Sequence, residues 1–327
     1  MTSFGTNLKL AQYIFLCIYI FQMYLSFRIY RFTQKVPPYA IILCTLTSYR
    51  IHSIYVLRLF NDPIAVLLFY VSLNLFLAND WMLGSVFYSL AVSVKMNILL
   101  YAPCLLVAYL TNLSLRQTVI NLAICAFVQL FLGLPFLYGN FWSYLRGSFD
   151  LGRVFEHKWT VNYRFLDRFV FENQYFHLTL LLLHLILLVV FFPKLRKFLT
   201  SYAKLNKVII DLKDSKMRKG RNDNVKLKEK DSVNFSKVSQ LFVLPFFVTN
   251  LIGVSCARSL HYQFYSWYFH SLLYLVHCTP YRKPVMFLLL ALIELCWNIY
   301  PSTSLSSVLL HMCHFVILYG VYNVMKR

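Results

Sequence analysis

The chain is poor in charge, in acid and in glycine. Of its 327 residues, 13% are Asp, Glu, Lys or Arg, with twelve acids and nine glycines. Soluble domains of this size carry about a quarter charged residues, so the shortage excludes an ordinary water-soluble fold. The eight cysteines include no CxxC pair and no Cys/His ligand spacing. That excludes a zinc site or a disulfide framework and leaves core packing as their expected role. No Walker-type loop, nucleotide-sugar motif or metal-ligand cluster is present, and no cofactor is expected. No cleavable signal peptide precedes the first apolar run. Internal repeats, which a transporter built from two halves would show, are absent.

What the chain has in abundance is apolar surface, with 59% hydrophobic and 18% aromatic residues. Several runs of about 20 apolar residues match the thickness of a bilayer's hydrocarbon core. The expected fold is all-α, a polytopic transmembrane helical protein. The net charge of +20 invites a nucleic-acid partner, but its distribution speaks for a membrane and no nucleic acid. Residues 194–237 hold fourteen Lys or Arg against five acids, and most other basic residues flank apolar runs, as a positive-inside pattern requires.

Arg28, Arg31 and Lys35 follow the first run, which places its C-terminal side in the cytosol. Counting on gives about 11 membrane segments, with short runs taken as crossings. The organisation expected is N-terminal transmembrane helices over 1–138, a lumenal loop over 139–173 and one helix over 174–193. A basic, largely disordered cytosolic linker over 194–237 and C-terminal helices over 238–327 complete it. Pro193 is expected to close the helix before the linker. Residues 82–110 are too long for one crossing and too short for two, so a break is expected near Lys95. Lys95 either snorkels to the interface or lines a wet cavity.

On this count one face collects His52, Arg58, Asp62, Lys95, the charge-balanced loop with Asp150, Arg153 and Trp159, and the stretch from Arg258 to His270. That stretch reads Arg-Ser-Leu-His-Tyr-Gln-Phe-Tyr-Ser-Trp-Tyr-Phe-His. If helical, its three- and four-residue spacing places Arg258, His261, Tyr262, Tyr265 and Phe269 on one stripe. An interfacial aromatic belt competes with a polar site as the explanation. Asp62, before Pro63, suits a helix start with a capping side chain.

Six fragments in order carry a resemblance: His52–Pro63 (HSIYVLRLFNDP), Ser89–Leu99 (SLAVSVKMNIL), Phe149–Arg153 (FDLGR), Trp159–Leu166 (WTVNYRFL), Arg258–His270 and Glu294–Ser304 (ELCWNIYPSTS). Together the sequence resembles the dolichyl-phosphate-mannose-dependent α-1,3-mannosyltransferases of asparagine-linked glycosylation. The resemblance implies a GT-C-type glycosyltransferase, multi-pass in the endoplasmic reticulum membrane. The donor lipid is then dolichyl phosphate mannose and the acceptor lipid a dolichol-diphosphate oligosaccharide with five mannoses. A β-linked donor and an α-linked product imply inversion. Single displacement needs a base for the acceptor hydroxyl and positive donors for the leaving phosphate.

Arg58, Lys95 and Arg258 are the candidates for the phosphate, with His261 assisting. Gln263, Tyr265, Trp159 and Arg153 are further candidates for substrate binding. Family members begin with an additional helix and a long lumenal loop carrying the acid usually proposed as base. This chain is expected to start after both, which leaves Asp62 and Asp150 as fallback bases. A multipass transporter and a catalytically incomplete membrane remnant of the enzyme are the alternative readings.

Overall fold

The computed structural model describes residues 6–148, 155–220 and 238–326. Asp150 and Arg153 lie outside the described residues. Among those described, the regular structure is helical throughout.

Helix α1 (Leu8–Thr33) begins where the Asn7 side chain accepts from the Leu10 amide, and it ends at Gln34, whose φ is 49°. After α2 (Pro38–Thr47) and the single turn α3 (Tyr49–His52), a π-helical turn over Ser53–Leu57 leads to α4 (Asp62–Leu77). Leu59 holds a left-handed φ of 53° just before α4, a conformation a non-glycine residue adopts only under constraint from its surroundings. Helix α5 (Trp81–Val94) starts with Asp80 capping the Leu83 amide.

The expected break is there. Lys95 is extended (φ −155°, ψ 124°), a 3-10 turn follows over Met96–Tyr101, and α6 (Ala102–Asn112) resumes the α-helix.

Helix α7 (Leu115–Ser148) runs past 138, with a non-helical kink at Asn140, so its end takes up the start of the expected loop. A 3-10 turn at His157–Trp159 and the short α8 (Arg168–Phe171) fill the rest of the described connection. Helix α9 (Gln174–Gly220) corrects two expectations at once. Pro193 lies inside it, because a proline deletes one backbone hydrogen bond and the neighbouring turns hold the helix together. The charged segment beyond stays helical at least to 220. Leu195, Leu199 and Tyr202 are buried at helical spacing and seat it on the bundle, and Lys194 lies 3.9 Å from the Tyr322 ring centroid. The remainder of the expected linker, 221–237, lies outside the described residues.

Helix α10 (Val238–Ser255) is the centre of the bundle. From it the chain enters a 3-10 turn over Tyr262–Trp267, then α11 (Phe269–His277), α12 (Lys283–Asn298) and α13 (Ser304–Lys326). Among the described residues, five helices, α1, α7, α9 up to Leu212, α10 and α13, are long and apolar enough to cross a membrane, and a sixth crossing arises if the bent pair over 38–57 is one span. The remaining apolar helices have 16 residues or fewer. That is short of the roughly 20 that a perpendicular crossing needs.

The site around Arg258–His270

The stretch 258–270 is not one helix. Residues up to His261 are irregular, and the 3-10 turn that follows advances three residues per turn. The single stripe expected from α-helical spacing is therefore divided between two sides.

On the first side, an aromatic string joins two cations. The Arg258 guanidinium lies 4.7 Å from the Phe155 ring centroid, and Phe155 meets the His261 ring edge-on at 5.7 Å. His261 stacks on Phe264 at 5.2 Å, and Phe264 stacks on Trp267 at 4.0 Å. The Lys95 ammonium sits 5.0 Å from Phe264 and 5.9 Å from Trp267, within reach of a cation–π attraction. Its Nζ is 2.7 Å from Asp62 Oδ2, and Trp267 Nε1–H donates to Asp62 Oδ1.

Asp62 is fully buried and both its oxygens are engaged. It does not cap α4, because its carboxylate points to Lys95 and Trp267. As a fallback base it is also poorly placed, since a base must reach an acceptor hydroxyl. Lys95 does not snorkel away. Its side chain keeps 23% exposure while the buried carboxylate fixes the ammonium. Two residues on, both side-chain amide atoms of Asn97 are buried and make no hydrogen bond to the described residues.

On the second side, Tyr265 Oη donates to Glu294 Oε2 at 2.7 Å, and its ring stacks on Trp297 at 4.9 Å. Asn298 Nδ2 and Ser48 Oγ also donate to the Glu294 carboxylate. Tyr262 donates to the Ile299 carbonyl, and Arg50 lies 4.8 Å from the Tyr262 ring. Burial raises the Tyr262 phenol above its ordinary range, so it stays a neutral donor. Since Trp297 Nε1–H donates to Tyr268 Oη, the Tyr268 hydroxyl is free to donate to His314 Nε2.

A strap from Thr160 to Arg164 fastens the turn's entrance. The Val161 amide donates to the Leu260 carbonyl, and Asn162 bonds both the Leu260 amide and the Ala257 carbonyl. Ser302 and Ser307 donate to the carbonyls of Thr160 and Val161. Trp159, 37% exposed, stacks on Tyr300 at 6.1 Å.

The structure thus brings together Lys95, Arg258, His261 and Asp62. Tyr265 belongs to the other side, and Gln263 is half-buried on the same turn. Arg58 is exposed in the turn before α4 and does not join the Lys95 pair. Sequence reasoning missed Glu294, Arg50 and Phe264 as functional candidates. Glu294 had a signal: an acid within the apolar run FLLLALIELCW is costly there unless it faces a partner or a cavity.

Five of the six fragments that carry the resemblance meet here, which matches the comparisons with known proteins. The family model described as ALG3 protein matches residues 1–307. A dolichyl-P-Man:Man5GlcNAc2-PP-dolichol alpha-1,3-mannosyltransferase of Drosophila melanogaster is 50% identical over 368 residues, covering 98% of this chain and 72% of that protein. The enzyme so named from Homo sapiens is 47% identical over 321 residues, covering 97% of this chain and 69% of its own. One from Arabidopsis thaliana is 44% identical over 325 residues, covering 97% and 71%. No solved structure matches the chain. With the family model spanning nearly its whole length and such relatives across three lineages, the chain belongs to the ALG3 family.

Proposed function

We propose that the chain transfers mannose from dolichyl phosphate mannose to the dolichol-diphosphate-linked oligosaccharide with five mannoses, forming an α-1,3 linkage with inversion. The observation that carries the reading is identity of 46–50% over 97–98% of the chain to proteins named for that reaction. The reaction takes place in the lumen of the endoplasmic reticulum, and the protein is a multi-pass membrane enzyme of GT-C type with about 11 segments, some of them short. A transporter reading has no support among the relatives.

Both substrates are lipids, so the chemistry belongs where polar side chains gather at the end of apolar helices. The string from Arg258 through His261 and Phe264 to Lys95 supports this. A leaving phosphate needs cationic donors held in place before reaction. Asp62 and Trp267 hold the Lys95 ammonium, and stacked rings hold His261. The Asn97 amide offers a buried donor and acceptor to a headgroup. Asp62 is here a positioning residue acting through Lys95. Arg153 and the exposed face of Trp159 are assigned to sugar contacts, with Gln263 and Tyr265 nearby on the turn. Asp150 remains the acid to test as base within the chain.

The test is Arg258→Ala beside Arg258→Lys in cells lacking the endogenous activity. Arg258→Ala is expected to leave the five-mannose lipid-linked oligosaccharide unextended at near-normal protein level. Lysine recovers only part, because an ammonium lacks the planar bidentate fork. Wild-type elongation by the alanine variant removes Arg258 from the site. Failure of the unmutated chain to extend the oligosaccharide, at normal protein level, overturns the function itself.

A further inference from the structure

The second side of the 258–270 stretch opens on a cavity that the string of cations does not use. It has a volume of about 410 Å³ and lies between α1, α2, α11 and α12. Its walls are mostly apolar, with Phe27, Leu43, Phe269, Leu290 and Ala291 among them, and Glu294 is the one charged residue among the described residues that line it. Phe287, Leu290, Ala291 and Glu294 follow one another along a single face of α12. With 1.5 Å of rise per residue, that face runs for about 10 Å. The space is therefore a slot along a helix. Leu43, 49% exposed, stands on its α2 wall.

At one end of the slot sits the Glu294 carboxylate, held by Tyr265 and Asn298. Tyr265 shares its 3-10 turn with Phe264 and Trp267, the two rings against the Lys95 ammonium. The slot thus ends one turn away from the cationic string. A linear apolar chain laid in it would deliver its headgroup to that turn. Arg50, bonded to the Trp297 and Asn298 carbonyls, balances part of the Glu294 charge but does not line the slot. On the slot side the carboxylate therefore disfavours a head carrying two phosphate charges more than a head carrying one.

We infer that this slot holds the isoprenyl chain of the monophosphate-linked sugar donor, with Glu294 marking the head end and selecting against a diphosphate-linked lipid. The inference rests on the proposed mannosyl transfer and adds to it the location of one lipid chain. An apolar slot of this size suits a flexible hydrocarbon. Chain insertion gains affinity with each methylene buried until the slot, about 10 Å long, is filled.

The test is Ala291→Trp in the full chain, which fills the slot without touching the cationic string. Donors carrying a long polyprenyl chain and a single five-carbon isoprenyl unit, too short to fill the slot, are compared at fixed acceptor. The expected result is a rise of about tenfold in donor KM for the long chain, with the short-chain donor and the acceptor KM unchanged. An equal effect on both donors, no effect, or a rise confined to the acceptor overturns the assignment. Ala291→Leu gives the same reading at smaller amplitude if the tryptophan variant is not recovered folded.

A long-chain isoprenyl monophosphate bearing a diazirine, used on the unmutated protein, is expected to label 283–298 or 38–47. Labelling confined to other segments also rejects the slot. Because photolabelling requires no turnover, it separates this inference from the proposed reaction. A chain that labels in the slot but transfers no mannose leaves the slot standing and removes the reaction.

Discussion

Helices α7 and α10 are both apolar enough to cross a membrane, yet they are used in opposite ways. The more apolar of the two, α7, has 11% of its membrane-length window buried, whereas α10 has 72%. In water the more apolar helix would be the buried one. Here α10 carries Pro245, Thr249, Asn250, Gly253 and Ser255, while α7 turns Phe127, Leu130, Phe131, Leu134 and Phe136 outwards. The reason is that lipid tails are as apolar as leucine, so burial between helices gains little from hydrophobicity. It is won instead by close packing and by hydrogen bonds. Thr249 and Ser255 donate to carbonyls four residues back, Asn250 donates to the Trp267 carbonyl, and Gly253 leaves room for Leu100. Polar and small residues mark the inside of this protein, and the cationic string grows from the end of α10, the most buried of the five membrane-length helices.

If that contrast is right, the largest effects follow from changing buried polar groups. Asp62→Ala leaves the Lys95 ammonium and the Trp267 N–H without their partner. Removing one member of a buried ion pair costs about 3–5 kcal/mol, and the exposed fraction of Lys95 argues for the lower end. The expected outcome is a marked loss of monodisperse protein on size-exclusion chromatography of detergent extracts. The double change Asp62→Leu with Lys95→Met is expected to recover most of the folded protein, because an apolar pair of similar volume costs little. It is not expected to recover mannose transfer, since the ammonium is gone. Recovery of both would make the pair a packing device and remove Lys95 from the chemistry.

A smaller effect is expected where two helices approach through small residues. Gly84 of α5 faces α4, and a methyl group there would lie 2.5 Å from the Phe76 ring. Ser72 on α4 donates to the Gly84 carbonyl at 2.7 Å. Gly84→Ala therefore has to move an aromatic ring within a packed layer, an overpacking cost of about 1–3 kcal/mol. A fall in thermal midpoint in detergent is expected, and Phe76→Leu in the same chain should restore part of it. A Gly84→Ala protein as stable as the unmutated one would show that α4 and α5 are not held at this distance.

Much of this architecture is legible in the sequence, and what is not has identifiable causes. The break at Lys95 could be read because a lysine and an asparagine interrupt a run of awkward length. The helix start at Asp62 could be read from Pro63. The partner of Asp62 could not, since Lys95 and Trp267 are distant in sequence and only the folded turn brings them together. The 3-10 turn at Tyr262–Trp267 was hidden because three- and four-residue spacings overlap in a short aromatic stretch. In residues 194–220 the density of charge outweighs the quieter stripe of Leu195, Leu199 and Tyr202. Glu294 is inconspicuous because it stands within the apolar run FLLLALIELCW, although an acid there is costly unless it faces a partner or a cavity.

The smallest effect is expected on the outward face of α7. Phe127 is 68% exposed, and its ring is stacked 6.2 Å from Phe131, itself 66% exposed on the same helix. The inner edge of α7 is held by other groups: Ser85 donates to Asn121 Oδ1, Ser89 donates to the Cys125 carbonyl, and Gln129 donates to the Ser89 carbonyl. None of these passes through Phe127. Phe127→Ala removes one exposed ring contact and creates no cavity, so a change within about 0.5 kcal/mol is expected. Thermal midpoint in detergent should stay near that of the unmutated protein, and α7 remains apolar enough to span. A large loss would mean that this face of α7 is covered by something in the native membrane. The face, and not only the helix, would then belong on the buried side of the comparison with α10.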